Sequence, residues 1–303
     1  MSFAKQIKDE LSKIKVEDEC KKAELSAFLQ MGTDIIFNRD GAHLTFQTMN
    51  SSVARRFLSH IKAFFLVETE LLTKKQNLTK DDIYYLVIND ALSIIEEFEL
   101  MRYDYQGKLK FINDEETKKA YLRAAFLVGG SVNDPNNSYH LEIKVKNEQD
   151  AIFVQSLLND FDLNSKITRR RQELIVYIKE AQKIQDCLYI IGASNMYFKF
   201  EDIRLTREIN NQVNRKVNCE IANEEKTIVA AKQQLHDIEI LEAQVGSSKI
   251  DEKLKEVMEL RKKNPLASFN ELRELYEIEY GKVITKSGLN HRFRRIHDLA
   301  SDK

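Results

Sequence analysis

The stretch Lys282–Arg295 gathers five cations (Lys282, Lys286, Arg292, Arg294 and Arg295) without a single acid, and sets Ser287, Asn290 and His291 among them. Guanidinium groups donate in pairs to phosphate or to the guanine edge, and a carboxamide pairs with adenine. Together these side chains could hold and read double-stranded DNA. At about 100° per residue, Leu289, Phe293, Ile296 and Ala300 share one narrow apolar face of a helix. Ser287, Asn290, His291, Arg294 and Arg295 fall opposite, with Lys286 and Arg292 on the flanks. The plain alternative is a solvated basic helix face; the order of the elements before it decides between the two. A second group, Lys166, Arg169, Arg170 and Arg171, could add contacts to a phosphate backbone or simply guard a strand edge.

Little else in the sequence points to chemistry. The six histidines are scattered without ligand spacing, and His43 and His140 read as strand-packing residues. Cys20, Cys187 and Cys219 are odd in number and form no C-x-x-C pair, which suits buried free thiols in a reducing cytosol. No glycine-rich phosphate loop or G-x-S-x-G elbow occurs. We therefore expect no catalytic residue, no metal site and no cofactor. With 47 Lys and Arg against 48 Asp and Glu, the chain is not a polycation, so any affinity for nucleic acid must come from local faces. A hydrophobic share of 43% excludes a disordered chain, and 303 residues suggest two or three domains. Residues 1–20 lack the apolar centre of a secretory signal, and no run of about 18 apolar residues exists to span a membrane. The expected location is cytoplasmic.

The basic stretch is preceded by elements in a definite order. Ile250–Lys263 reads as a helix that stops before Pro265. Ser268-Phe269-Asn270-Glu271 is a capping box that opens a helix over Glu271–Tyr280. Gly281 ends that helix, Lys282–Thr285 forms a turn, and Lys286–Ala300 is the third helix. This is helix-turn-helix spacing, in which the last helix enters the major groove. Upstream, Asn223–Glu242 is a long helical pattern broken at Gly246-Ser247-Ser248, and the mixed polar stretch Glu201–Val217 reads as a hinge.

The first two-thirds of the chain repeats itself. Lys22–Gly32 (KAELSAFLQMG) matches Lys119–Gly129 (KAYLRAAFLVG) at an offset of 97 residues. The same offset places His43-Leu44 on His140-Leu141, Asn50 on Asn147, Ala54 on Ala151, Phe64 on Phe161 and Leu66 on Leu163. A register held over roughly forty positions indicates duplication of one supersecondary unit. Repeat one then carries about seven extra residues before Ile83–Ile88, the counterpart of Leu174–Ile178. Each unit reads helix, two strands, helix, two strands, helix. In repeat two these are the opening helix ending at a cap glycine, Tyr139–Val145, Asp150–Phe161, the hairpin Lys166–Arg170 and Glu173–Ile178 with its tip near Arg171-Gln172, and Glu180–Ile191. Repeat one closes with Asp90–Glu99.

An αββαββα unit opened by such a helix resembles the LAGLIDADG homing-endonuclease fold, most clearly over Tyr121–Ser131. The resemblance implies two motif helices packed at a pseudo-dyad, with Ala27, Ala124 and Ala125 allowing close approach, and two sheets forming a saddle over DNA. It also implies a metal-binding acid at the end of each motif helix in active members. Here those positions are Gly32 and Gly129, a helix followed by a glycine cap, and Asp34 and Asp134 lie two and five residues beyond. The whole order, together with Tyr121–Pro135, Val213–Gln234 and Thr285–Arg295, resembles the WhiA regulators of Gram-positive bacteria; the first motif departs from an Asn-Gly-Ser-like end with Gln30-Met31-Gly32-Thr33. The fold expected is α+β, a pseudo-two-fold LAGLIDADG-like pair over residues 1–212 (repeats about 1–112 and 113–212), followed by an all-α helix-turn-helix domain over 218–303. The resemblance implies a non-catalytic, nucleoid-associated DNA-binding protein that regulates transcription in cell division, chromosome segregation and, in spore formers, sporulation. A scaffold whose repeat domain binds a protein partner, and an active endonuclease, are the alternatives; oligomeric state is left open.

Overall fold

The computed structural model describes residues 2–39, 41–75, 82–102, 109–245 and 250–301, which fall into two compact units, Met1–Glu208 and Ile209–Lys303. The first unit opens with α1 (Phe3–Leu11), an element the sequence reading leaves unassigned. Its helix starts where Ser2 Oγ accepts from the Lys5 N–H at 3.2 Å, and it buries Phe3, Ile7 and Leu11, one residue per turn. Then come α2 (Asp18–Gly32), β1 (Thr33–Asn38), β2 (Gly41–Thr48), α3 (Ser51–Phe64), β3 (Thr69–Lys75), β4 (Asp82–Ile88) and α4 (Leu92–Glu97). The second copy repeats this order as α5 (Glu115–Gly129), β5 (Gly130–Val132), β6 (Leu141–Val145), α6 (Glu148–Asp160), β7 (Lys166–Arg170), β8 (Glu173–Ile178) and α7 (Ala181–Ile190).

Both sheets are antiparallel, with orders β1-β2-β4-β3 and β5-β6-β8-β7, so the duplicated sequence builds one topology twice. One repeated pair shows how the register is kept. Asn50 and Asn147 both act as N-caps: Asn50 Oδ1 accepts from the Ser52 and Val53 N–H groups, and Asn147 Oδ1 from that of Asp150. Part of the extra length expected in repeat one goes into β3 and β4, which are longer than β7 and β8; the rest falls at 76–81, outside the described residues. Helices cover one face of each sheet, and Phe28, Phe46 and Phe57 interlock there with ring centroids 4.7–5.9 Å apart.

The two motif helices α2 and α5 pack together more extensively than any other pair of elements. Ala27, Ala124 and Ala125 are fully buried at this contact, as the small-residue pattern implies. The terminal glycines behave differently from the expected left-handed caps. Each helix runs straight into its first strand, and the residues after them, Thr33 and Gly130, are extended (φ −104° and −76°). What requires glycine is close approach: a Cβ on Gly129 would sit 2.2 Å from the Lys144 carbonyl oxygen, and one on Gly32 would sit 2.7 Å from Cε2 of Phe46.

The expected hinge at 201–217 is also corrected, because it lies within one helix, α8 (Ser194–Val245), of 52 residues. That stretch holds neither glycine nor proline, so its polar composition marks a solvated helix rather than a break. Gly246-Ser247-Ser248 lies outside the described residues. Three helices complete the second unit: α9 (Glu252–Lys263), α10 (Phe269–Tyr280) and α11 (Lys286–Ser301). Of the three cysteines only Cys187 is buried, and burial pushes its thiol up to about 12; Cys20 is half-buried and Cys219 exposed, against the expectation of buried thiols throughout.

Candidate nucleic-acid interface

The capping box forms as its residues dictate. Ser268 Oγ accepts from the Glu271 N–H at 3.3 Å, and Glu271 Oε2 accepts from the Ser268 N–H at 2.7 Å, which starts α10. Gly281 ends α10 in the left-handed region at φ 64°, where a side chain would be strained. The chain then turns into α11, whose Leu289, Phe293, Ile296 and Ala300 are all buried against Ile238, Leu241, Val257 and Leu272. Phe269 stacks on Phe293 at 5.6 Å, fixing the angle between α10 and α11.

This packing sorts the five cations. Glu256 on α9, 8% exposed, accepts from Lys282 Nζ at 2.5 Å and from the Tyr276 hydroxyl, and Arg292 Nη1 lies 3.9 Å away. Arg292 also donates to the Tyr276 hydroxyl (2.9 Å) and the Lys253 carbonyl (3.2 Å) and lies over the Tyr276 ring. The Lys282 hydrogen bond, then that of Tyr276, hold the Glu256 carboxyl below its ordinary range. Lys282 and Arg292 thus join α9, α10 and α11 to one another. Lys286, Ser287, Asn290, His291, Arg294 and Arg295 are exposed. Among the described residues, no hydrogen bond or ion pair engages the side chains of Lys286, Arg294 or Arg295, so three cations and a carboxamide face outward.

Another buried cation stands behind this face. Arg261 is 1% exposed, donates to the Ala267 and Asn264 carbonyls at 2.6 and 3.3 Å, and lies over the Phe293 ring; burial pulls it down to about 10. The sequence reading misses both Glu256, whose partners come from α10, the turn and α11, and Arg261, which joins the loop after its own helix to the Phe293 ring.

Strand alternation also divides the second basic group. The register pairs Lys166 with Tyr177, Ile167 with Val176, Arg169 with Leu174 and Arg170 with Glu173. Ile167 and Arg169 therefore share the helix-covered side, where Arg169 Nη2 donates to Glu148 Oε1 of α6 at 2.9 Å. Lys166 and Arg170 lie on the open face, and Arg171 is exposed at the hairpin tip with φ 59°. Across the open faces of both sheets, the registers place Lys74, Lys144, Lys166 and Arg170 with Asp34, Glu70, Glu142 and Glu173. Four acids offset four cations, and Lys144 is paired with Glu173 at 2.9 Å. Among the described residues no ion pair engages Lys74, Lys166 or Arg170, but acids on the same faces offset their charge, whereas the stretch Lys282–Arg295 holds no acid.

At the motif ends, Asp34 is bound to Lys146 at 2.7 Å, and Asp134 Oδ1 accepts from the Asn136 N–H within its own turn. His43 lies between Asn89 and Asn38 at 3.0 and 2.9 Å, and His140 meets Glu142 at 3.1 Å. Among the described residues no group of three or more His, Cys, Asp or Glu could hold a metal ion, and no helix is long and apolar enough to cross a membrane.

Three family models match in succession: the WhiA N-terminal LAGLIDADG-like domain over residues 18–101, the WhiA LAGLIDADG-like domain over 118–210, and the WhiA C-terminal HTH domain over 213–300. A probable cell division protein WhiA of Oceanobacillus iheyensis is 41% identical, with 99% of this chain and 97% of that one covered. Its counterpart in Staphylococcus aureus is 40% identical over 99% and 96%. The crystal structure of full-length WhiA from Thermatoga maritima aligns with a TM-score of 0.61 at 25% identity, covering 99% of this chain and 98% of that one.

Proposed function

The chain belongs to the WhiA family, and on that footing we propose that it is a non-catalytic, nucleoid-associated DNA-binding regulator of cytoplasmic location, with sequence preference seated in residues 218–303. The observation that carries this reading is the outward face of α11. There Lys286, Asn290, Arg294 and Arg295 stand free while Lys282 and Arg292 hold the helices together. Arginine pairs suit guanine or phosphate, and Asn290 suits adenine. The names of the relatives support a role in cell division; transcription control, chromosome segregation and, in a spore former, sporulation belong to the same reading. It is tested by mapping genome-wide occupancy of the tagged chain with and without Asn290→Ala, alongside transcript changes on deletion. Occupancy at specific sites that the substitution leaves intact would count against it.

The balanced charge of the open sheet faces supports a second reading, in which residues 1–212 serve mainly to hold a protein partner. Equal DNA affinity for the full chain and for chains with Lys166 and Arg170 replaced by alanine would favour it. The non-catalytic reading rests on Gly32 and Gly129, which offer no carboxylate oxygens to a hard cation, and on Asp34 being bound to Lys146. Specific cleavage of DNA with Mg²⁺ or Mn²⁺ that persists through repurification would overturn it.

A further inference from the structure

We propose that the cleft between the 12–16 segment and α3 binds a small phosphate-rich ligand of the nucleotide class. The cleft has a volume of about 570 Å³ and is walled by Lys13, Lys15, Lys21 and Arg55, with the hydroxyls of Ser52 and Ser59 beside them. No carboxylate lines it. Among the described residues, the ammonium groups of Lys13 and Lys15 make no hydrogen bond or ion pair. Arg55 donates only to Ser51 of its own helix, at 3.2 and 3.3 Å, while Lys21 is shared with Asp18 at 2.8 Å.

Beneath these groups lie two buried ones. Arg56 and His60 both line the cleft and are 6% and 5% exposed, and His60 leaves its Nδ1 without a hydrogen-bond partner. Glu24 pairs with both, and its Oε1 is shared between Arg56 Nη2 at 2.6 Å and Arg123 Nη1 at 2.8 Å. Lys13, Lys15, Lys21 and Arg55 line one cleft, and salt screens like charges only beyond about 8 Å at physiological strength, so an anion bound among them would relieve their repulsion.

The shape argues for a small molecule. Ligand pockets run from about 300 to 1,000 Å³, and this one is larger than a lone phosphate needs. Ile14 and Val16, half-buried in its wall, give a base or sugar an apolar surface beside the cations. The cleft also lies on the helix side of the first unit, because α3 packs on the covered face of its sheet, with Val53, Phe57 and Ile61 buried. A duplex resting on the open sheet faces would not reach it. Arg56 donates through Nη1 to the Ser12 and Ile14 carbonyls and through Nε and Nη2 to Glu24. A ligand held there would brace the 12–16 segment against the contact between the two repeats.

The experiment titrates the full chain calorimetrically with ADP, with inorganic pyrophosphate and with adenosine, and follows thermal melting in parallel. ADP and pyrophosphate should bind saturably and raise the melting temperature, ADP the more tightly, while adenosine alone does neither. Lys13→Ala, Lys15→Ala and Arg55→Ala combined should weaken ADP at least about tenfold, since three charge-assisted contacts are lost. All three side chains are exposed, and an unchanged far-UV spectrum and DNA affinity would show the variant folded. Lys166→Ala with Arg170→Ala should leave ADP binding unchanged. Absence of saturable binding of both phosphate probes up to about 5 mM, weaker than any specific site should be, would overturn the proposal. So would unaltered ADP binding by the triple variant, or displacement of ADP by duplex DNA together with loss of DNA affinity in that variant, which would make the cleft a backbone contact.

Discussion

Arg123 Nη1 and Glu24 Oε1 meet at 2.8 Å, one from each motif helix, with both side chains sealed from solvent. Glu24 sits at the centre of a buried cluster: Arg56 donates to it twice at 2.6 Å, His60 Nε2 lies 2.9 Å from it, and Arg123 also reaches the Ile191 carbonyl at 2.7 Å. An isolated buried charge is costly, and breaking such a set by removing one partner costs about 3–5 kcal/mol. The contact therefore ties the two repeats together at the centre of the motif-helix pair.

Burial alone would raise the Glu24 carboxyl, but hydrogen bonds from His60 and Arg56, with the charges of Arg56 and Arg123, hold it at about 2. A depressed carboxyl stabilises the fold above its unfolded pKa, and that stability is lost as pH falls through the folded value. Wild type should exceed Glu24→Gln in stability by about 3 kcal/mol at pH 7, and the gap should close between about pH 5 and pH 2. Urea midpoints of the two chains across that range check it. A gap that stays constant with pH would mean that the cluster holds by shape and not by charge.

On α11, Arg294→Ala with Arg295→Ala should weaken DNA binding and make its salt dependence shallower, each phosphate contact contributing about −0.9 to the log–log slope. The three free cations on the outward face of α11 should contribute a slope near −3 at most. Asn290→Ala should relax preference at one base position at a cost of roughly 1–3 kcal/mol. Fluorescence anisotropy on matched and mismatched duplexes separates these effects.

Arg292→Ala should behave otherwise. Its guanidinium binds the Tyr276 hydroxyl and the Lys253 carbonyl, so its loss should lower the stability of the second unit by about 1–3 kcal/mol. Calorimetric melting would register that loss. Where the variant is folded, the salt slope of DNA binding should match wild type; a slope shallower by about 0.9 would put Arg292 on phosphate after all.

In the β7–β8 hairpin, Arg169→Ala and Lys166→Ala/Arg170→Ala should part company. If the repeat domain assists DNA binding, only the open-face pair should reduce affinity, because Arg169 turns towards Glu148. Affinities of both variants at one salt concentration decide it, and an equal loss from Arg169→Ala would contradict the alternation.

The glycines give an order of costs. Gly129→Ala drives a Cβ into backbone, whereas Gly32→Ala meets a ring that can tilt. The first should cost at least about 2 kcal/mol and the second less; Gly281→Ala, open in space but left-handed, should cost about 1 kcal/mol. Denaturant midpoints for the three variants give the order directly.

Much of the architecture was legible because its signals are local or periodic. The 97-residue register found both copies, and Asn50 with Asn147 turned out to be their shared helix caps. The Ser268 box and Gly281 bounded α10 without any tertiary information. What escaped depends on contacts between distant segments. The partners of Glu24 come from α3 and α5, and those of Glu256 from α10, the turn and α11, so neither set has a spacing to read. A hint existed in the second copy alone, since Arg123 interrupts the otherwise apolar run Ala120–Val128 of its motif helix. On α11 periodicity separates the buried from the exposed face, yet it alone could not tell that Arg292 would turn to Tyr276 while Lys286, Arg294 and Arg295 stayed free. The supposed hinge failed for a related reason, because a solvated helix and a polar linker share a composition and differ mainly in glycine and proline.

The closeness of Gly129 to the Lys144 carbonyl also limits what can stand at this position. The LAGLIDADG resemblance implies an acid here in active members, and an aspartate would need its Cβ 2.2 Å from a backbone oxygen of the neighbouring strand. Helix and strand would have to separate before any side chain fitted, so a substitution at 129 trades the seam between α5 and β6 for the new group. The glycine works as a latch: whatever replaces it must first break the join that it closes.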